Sequence, residues 1–209
     1  LYEGIDLKGN GTVGLITYLR TDSTRVSEEA DENTRKYVSE VYGEAFVTEG
    51  QKKKEDGKKI QDAHEAIRPT DVTRTPASVK ESLSRDQFRL YQLIWKRFVA
   101  SRMAPAKFET TSVKIAAGEY RFQVSASRVA FEGFREVYVE SGEEKAENNV
   151  LLKSLDVSSE LTKKQLDAKQ HFTQPPAHYT EAALVKALEE LGIGRPSTYA
   201  PTISTIIAR

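Results

Sequence analysis

The 209-residue sequence contains no cysteine. That excludes disulfides, thiolate metal ligands and a cysteine nucleophile, and it fits a cytosolic setting. Histidine is almost as scarce: His64, His171 and His178 are the only three, too scattered for a zinc site. No apolar run approaches the ~18–20 residues of a membrane-spanning helix, and no signal peptide opens the chain. A P-loop and internal repeats are also missing. An excess of either charge is absent as well. Lys plus Arg and Asp plus Glu both number 31, so the formal net charge is zero. Bulk attraction to a polyanion is therefore lacking, and any nucleic-acid role must rest on locally placed residues.

The length allows one or two domains with a sizeable core. The chain opens on Leu1 without an initiator Met and stops at TISTIIAR inside a helical pattern, so it is expected to be a piece of a larger protein. Three textures follow one another. Residues 1–104 read as mostly helical after a short strand over Val13–Leu19, rich in β-branched and aromatic residues and ending in the turn-prone TDST. Ser27 can cap a helix with Glu28 and Glu29 in its first turn and Val26, Ala30, Tyr37 and Val41 on its apolar face, stopped by Gly43. TPASVKESL reads as a short helix with Pro76 first. SRDQF offers a capping box, Ser84 with Gln87, ahead of Phe88, Tyr91, Trp95 and Phe98 at helical spacing, a stripe that belongs to a core. QKKKEDGKKI, residues 51–60, is a charged loop, either a solvated surface or a transient phosphate contact.

From residue 105 the pattern alternates with period two. FETTSVKIA and EYRFQVSAS flank a Gly118 turn and a third run covers Phe131–Val139, which predicts an antiparallel meander. GEEKAENN is a polar loop, and residues 150–170 carry no clear pattern. After QPP, Thr180 can cap a helix with Leu184, Leu188 and Leu191 on one face, closed by Gly192. GIGRPSTYA then leads into a second helix with Tyr199, Ile203 and Ile206 inward.

Three segments carry chemistry. In GLITYLRTDST, a strand extended through residue 20 would project Ile16, Tyr18 and Arg20 to one face. A free tyrosine phenol, with a pKa of about 10, is phenolate in only about one molecule in a thousand at neutral pH, so a nucleophilic tyrosine needs a cation or a proton acceptor nearby. The planar fork of Arg20 is suited to hold a phosphate oxygen. On this local pattern alone the other reading is favoured, Tyr18 as a half-buried strand aromatic with Arg20 as a surface neighbour. AHEAIRPT places His64 and Arg68 four apart, on one face if helical, as a proton-transfer group and a phosphate clamp or as an incidental exposed pair. It lacks the second His of the HExxH zinc pattern. GIGRPSTYAPTIST sets Arg195 and the hydroxyls of Ser197 and Thr198 at a helix N-terminus, either an anion site or a plain cap.

Taken together, GLITYLRTDST, AHEAIRPT and PPAHYTEAALVKALEELGIGRPSTYAPTISTI resemble the type IA DNA topoisomerases, on the bacterial topoisomerase I branch. Order and separation of all three agree, and the resemblance spans essentially the whole chain. It implies a multi-domain α+β fold cut from a toroidal enzyme. Residues 1–104 would be a helical, winged-helix-like domain bearing the tyrosine, 105–178 part of an antiparallel β arch, and 179–209 the start of a helical DNA-binding base domain. It implies that Tyr18 attacks a single-strand phosphodiester and becomes linked to the 5′ phosphate while a 3′ hydroxyl leaves, relaxing negative supercoils without ATP. Arg20 would hold the scissile phosphate, with Asp22 in the same motif. His64 would support the transition state, and Arg68 falls in its motif. Arg195, Thr198 and Tyr199 match positions that contact or shape the single-strand groove, and Arg209 matches a further DNA-contacting arginine.

The resemblance also implies Mg2+ in the whole enzyme. The family's acidic domain with its DxD carboxylates and catalytic Lys lies N-terminal to the matching region and has no counterpart here, so no metal site is expected in this chain, and alone it is expected not to complete cleavage and religation. The implied partners are single-stranded DNA within a negatively supercoiled duplex and the remaining domains of the same polypeptide; the implied location is the bacterial cytoplasm, at the nucleoid, with no membrane. Leu19 after Tyr18, where topoisomerase III has Pro, favours topoisomerase I. Two other classes compete: tyrosine recombinases and type IB enzymes, which form a 3′ linkage, and a non-catalytic single-strand DNA-binding module.

Overall fold

The computed structural model describes residues 1–9, 11–48, 64–139 and 155–209. The charged loop 51–60 and the polar loop GEEKAENN lie outside the described residues. The fold is mixed α/β with small antiparallel sheets, and it divides into two compact units, Leu1–Lys153 and Ser154–Arg209.

The first unit begins with a short hairpin, β1 (Ile5–Leu7) against β2 (Gly11–Val13). Helix α1 (Glu28–Tyr42) starts where expected: the Ser27 hydroxyl accepts from the Ala30 N–H, and Glu28, Glu29 and Asp31 fill the first turn, favourable at the positive end of the dipole. Gly43 ends it. After the short α2 (Pro76–Val79), with Pro76 in its first turn, the Ser84–Gln87 capping box opens α3 (Arg85–Ala100). Tyr91, Trp95 and Phe98 of α3 are buried, and the first two are also tethered by their polar atoms. The Tyr91 hydroxyl donates to the Arg74 carbonyl at 2.6 Å, and the Trp95 indole N–H donates to the Val72 carbonyl at 2.9 Å. Each aromatic thus fills core volume and satisfies its polar atom in one placement. Leu15, Val38 and Val99 complete the fully enclosed centre.

Three local expectations of this unit are corrected, and one open reading is decided. In α1 the buried residues are Thr34 and Val38, whereas Val41 is 54 % exposed. Thr34 donates its hydroxyl to the Ala30 carbonyl at 2.6 Å, which lets a nominally polar residue occupy the inward stripe. The strand expected over Val13–Leu19 stops at Val13. Ile16 pairs with Pro69 in a single bridge, because Pro69 has no N–H to extend a ladder. The motif AHEAIRPT, whose conformation the sequence left open, is not helical over 64–70: Pro69 disfavours helical geometry at Arg68, and the backbone bends at His64 and Ile67. Finally, the meander is a single hairpin, β3 (Lys107–Ala117) against β4 (Tyr120–Phe131). The expected third strand is a 3-10 turn, Gly133–Glu136, anchored by the Phe134 N–H on the Ala104 carbonyl at 2.9 Å and by Val137 in the core.

The second unit is a helix pair. The Thr180 hydroxyl caps α4 (Glu181–Glu190), accepting from Ala183 N–H at 3.1 Å, and Gly192 closes its end at φ 69°, a left-handed geometry that favours glycine. α5 (Pro196–Ile207) buries Ile203. Ile206, expected inward, is 55 % exposed. Residues 155–179 form no helix or strand.

What positions the site is the pairing of 14–17 with 66–70. Thr17 N–H donates to the Arg68 carbonyl at 2.9 Å, Thr70 N–H to the Leu15 carbonyl at 3.0 Å, and the Thr70 hydroxyl to the Gly14 carbonyl at 2.7 Å. The Thr17 hydroxyl donates to the Ala66 carbonyl at 2.8 Å and accepts from Arg68 N–H at 2.9 Å. Thr17→Val keeps the shape and removes both hydroxyl bonds. It is expected to cost about 1–2 kcal/mol in urea unfolding and to speed hydrogen exchange at the Arg68 amide; unchanged exchange there would contradict this role.

Candidate active site

Each end of the paired segments leads to a residue singled out in the sequence. Tyr18 follows Thr17 directly, and His64 precedes Ala66 by two positions, so the pairing delivers both rings to one place. Their centroids are 4.3 Å apart with planes inclined by 35°. Tyr18 is half-buried and His64 exposed, so one face of the pair is open to solvent. Tyr18 also meets Tyr2 in an edge contact, centroids 5.6 Å apart and planes at 69°.

Downstream of Tyr18 the chain bends through Leu19 and Arg20. TDSTR is then held by its own hydroxyls. Thr21 Oγ1 accepts from Ser23 N–H at 3.0 Å, Ser23 Oγ accepts from Arg25 N–H at 3.1 Å, and the Arg25 carbonyl accepts from Ala66 N–H at 2.8 Å. The loop therefore leaves the 66–70 segment after Thr17 and returns to it at Arg25. Arg20 and Asp22 project from it, both exposed and without an ion-pair partner among the described residues. Because the backbone bends at residue 19, the common face expected for Ile16, Tyr18 and Arg20 is replaced by a gradient, with Ile16 buried, Tyr18 half-buried and Arg20 exposed.

Arg68 is differently placed. Its Nε donates to Glu65 Oε2 at 2.8 Å and its Nη1 to the Pro69 carbonyl at 2.9 Å, and its side chain is only 14 % exposed. Burial pushes the Glu65 carboxyl up, but hydrogen bonding and the positive charge of Arg68, with bonds from the Ser27 hydroxyl and backbone, outweigh it and hold the group below its ordinary range. Arg68 here braces the segment that carries His64. Thr17 and Glu65 escaped the sequence reading. The signal for Glu65 was its i,i+3 spacing to Arg68; nothing local pointed to Thr17, whose partners are about fifty positions away.

In the second unit, Arg195 and Thr198 meet at the start of α5. The Thr198 hydroxyl accepts from the Arg195 N–H at 2.9 Å, so the cap belongs to Thr198 and Ser197 takes no part in it. Arg195 and Arg209 are exposed. Tyr199 is half-buried against Gly194, where an added Cβ would meet its ring at 3.2 Å.

Unrelated to these rings, a cavity of about 380 Å³ opens between α1 and residues 68–73, lined among others by Thr34, Tyr37, Arg68, Thr70, Val72 and Phe98. Tyr18, Arg20 and His64 do not line it. Among the described residues no group of three or more His, Asp or Glu side chains converges to hold a metal ion. No helix among them is long and apolar enough to cross a membrane.

The Glu65–Arg68 pair has a pH signature. A carboxyl whose folded-state pKa lies below its unfolded value adds stability above the unfolded value and loses it as pH falls through the folded one. The stability margin of the wild type over Glu65→Gln is therefore expected at neutral pH and to vanish on acidification below about pH 4. Paired urea titrations check this; a margin constant with pH would contradict it.

A family model described as DNA topoisomerase matches residues 1–209, the whole chain. Among solved structures, full-length topoisomerase I from Thermotoga maritima is 36 % identical and superposes with a TM-score of 0.70, over 99 % of this chain and 32 % of that one. The chain thus spans about a third of the length of that relative. With the family model running end to end and the Tyr18 and His64 motifs folded together, the chain belongs to the type IA family of bacterial DNA topoisomerases.

Proposed function

We propose that this chain carries the nucleophile of a type IA topoisomerase, and that Tyr18 cleaves one DNA strand through a 5′-phosphotyrosine link. The observation that supports the reading best is the Tyr18–His64 contact, 4.3 Å between centroids, made by two motifs far apart in sequence. Tyr18 Oη attacks the phosphorus of a single-strand phosphodiester. The Oη–P bond forms, the P–O3′ bond breaks, the phenol gives up its proton, and the departing 3′ oxygen gains one. After strand passage the 3′ hydroxyl attacks the same phosphorus and Tyr18 is released. One phosphoester replaces another at each step, so bond energy is retained and no nucleotide is consumed.

Arg20, exposed beside the nucleophile in sequence, supplies a planar pair of donors for a non-bridging phosphate oxygen. His64, stacked on Tyr18 and open to solvent, supports the transition state by hydrogen bonding to the phosphate or to a transferring proton. Asp22, in the same loop, keeps to the edge of the phosphate site. Arg68 orders the His64 strand and contributes to DNA binding through that order. Arg195, Thr198 and Tyr199 line a path for single-stranded DNA with Arg209: the arginines meet phosphates, and the half-buried tyrosine offers a stacking surface. A neutral chain fits such a role, since these contacts are local.

In this reading residues 1–104 are the tyrosine-bearing domain, 105–178 part of the arch and 179–209 the start of the base domain. The family's Mg2+ belongs to an acidic domain outside the 209 residues, and the bacterial cytoplasm is the working compartment. The chain alone is expected not to relax plasmid.

The test supplies the acidic domain in trans with end-labelled single-stranded DNA, stops with denaturant and looks for label on this chain. A covalent adduct through a 5′ phosphate, lost in Tyr18→Phe while oligonucleotide binding persists, is the expected result. A 3′ linkage would transfer the protein to the recombinase chemistry, and binding without any adduct by the assembled pieces would favour a non-catalytic DNA-binding module.

A further inference from the structure

We infer that Tyr2 is a positioning residue for Tyr18, a second aromatic wall beside that of His64 that holds the phenol ring in its attacking orientation; this rests on the reading of Tyr18 as the nucleophile. Tyr18 has two aromatic neighbours. His64 lies tilted against it at 4.3 Å, and Tyr2 meets it edge to face at 5.6 Å. A tyrosine ring with one neighbour is free to swing about χ1 towards solvent. With two it is confined, and an edge-to-face pair adds attraction beyond its buried area.

The backbone under Tyr2 is fixed as closely as the backbone under His64. Leu15 N–H donates to the Leu1 carbonyl at 2.7 Å, tying the segment before Tyr2 to the segment before Tyr18. At Gly14 the two strands come so close that an added Cβ would lie 2.8 Å from the Tyr2 carbonyl oxygen. Glycine at 14 is what permits this approach. Tyr18 therefore touches two tethered partners: Tyr2, held through Leu1 and Gly14, and His64, held through Thr17 and Arg68. Tyr2 itself is 44 % exposed, more than a residue retained for core volume needs. Its hydroxyl has no hydrogen-bond partner among the described residues, so the ring rather than the phenol oxygen carries the role.

The inference predicts a split between removing the ring and removing the oxygen. Tyr2→Phe retains wild-type behaviour. Tyr2→Leu and Tyr2→Ala slow adduct formation from the bound complex about tenfold to a hundredfold, the scale of a misplaced reactive group, with oligonucleotide affinity held. A second readout needs no catalysis. In the 209-residue chain the His64 ring protons are shifted by the Tyr18 ring current; Tyr2→Leu reduces that shift, and Tyr2→Phe restores it.

Unchanged His64 shifts and unchanged adduct rates in Tyr2→Leu would overturn the inference, as would a loss confined to affinity, which would make Tyr2 a stacking surface for a base. If the assembled wild type forms no adduct, the nucleophile reading of Tyr18 fails, and with it any catalytic meaning of the Tyr2 wall. The His64 shifts then still report whether the wall exists, so the two failures are distinguishable.

Discussion

The architecture of the candidate site depends on one short pairing, residues 14–17 against 66–70, with Thr17 at its centre. Thr17 bonds to the facing segment through its amide and, as both donor and acceptor, through its hydroxyl. Pro69 limits the pairing to a single formal bridge, so side-chain hydroxyls take over work that a regular ladder would do. Remove the pairing and Tyr18 loses its fixed relation to His64, because the other tether of the loop joins Arg25, well past the tyrosine, to Ala66. The core beneath, with Leu15 and Ile16 buried among Val38, Val72, Tyr91 and Trp95, keeps the first strand from sliding.

Parts of this arrangement were legible in the sequence because they are local. Caps at Ser27, Ser84 and Thr180, the proline opening α2, the glycine closing α4 and the aromatic stripe of α3 each depend on residues within one or two turns of each other. The shortened strand at 13–19 and the non-helical course of 64–70 share one reason hidden from local sequence: each segment takes its conformation from the other, across about fifty residues. Val41 and Ile206 were placed inward because their spacing fits, yet burial also requires a partner surface, and each helix has one covered stripe. Thr34 shows the converse, a polar letter made compatible with burial by an internal hydrogen bond.

The site was legible as a set of motifs and illegible as a geometry. Tyr18, Arg20 and His64 were each ambiguous alone, and only their joint order pointed to phosphoryl transfer. The structure distributes the roles unevenly. Tyr18 and His64 are in contact, Arg20 and Asp22 are exposed on a loop pinned at both ends, and Arg68 is committed to Glu65 and its own strand. That division suits the proposed site: a cation, Arg20, exposed at the rim where a phosphate would be met, and a paired charge beneath, Arg68 with Glu65, to hold the frame. Zero net charge is consistent with it, since contacts of this kind depend on placement rather than on a general excess of cations.

The most direct test of the central claim, that pairing of the two distant segments brings the Tyr18 ring onto His64, is a nuclear Overhauser measurement on the 209-residue chain with selectively labelled tyrosine and histidine. Cross-peaks between the ring protons of Tyr18 and His64, abolished by Tyr18→Leu and weakened by Thr17→Val, are the predicted result. A folded chain that shows the Thr17–Arg68 backbone contact but no contact between the two rings would contradict the account.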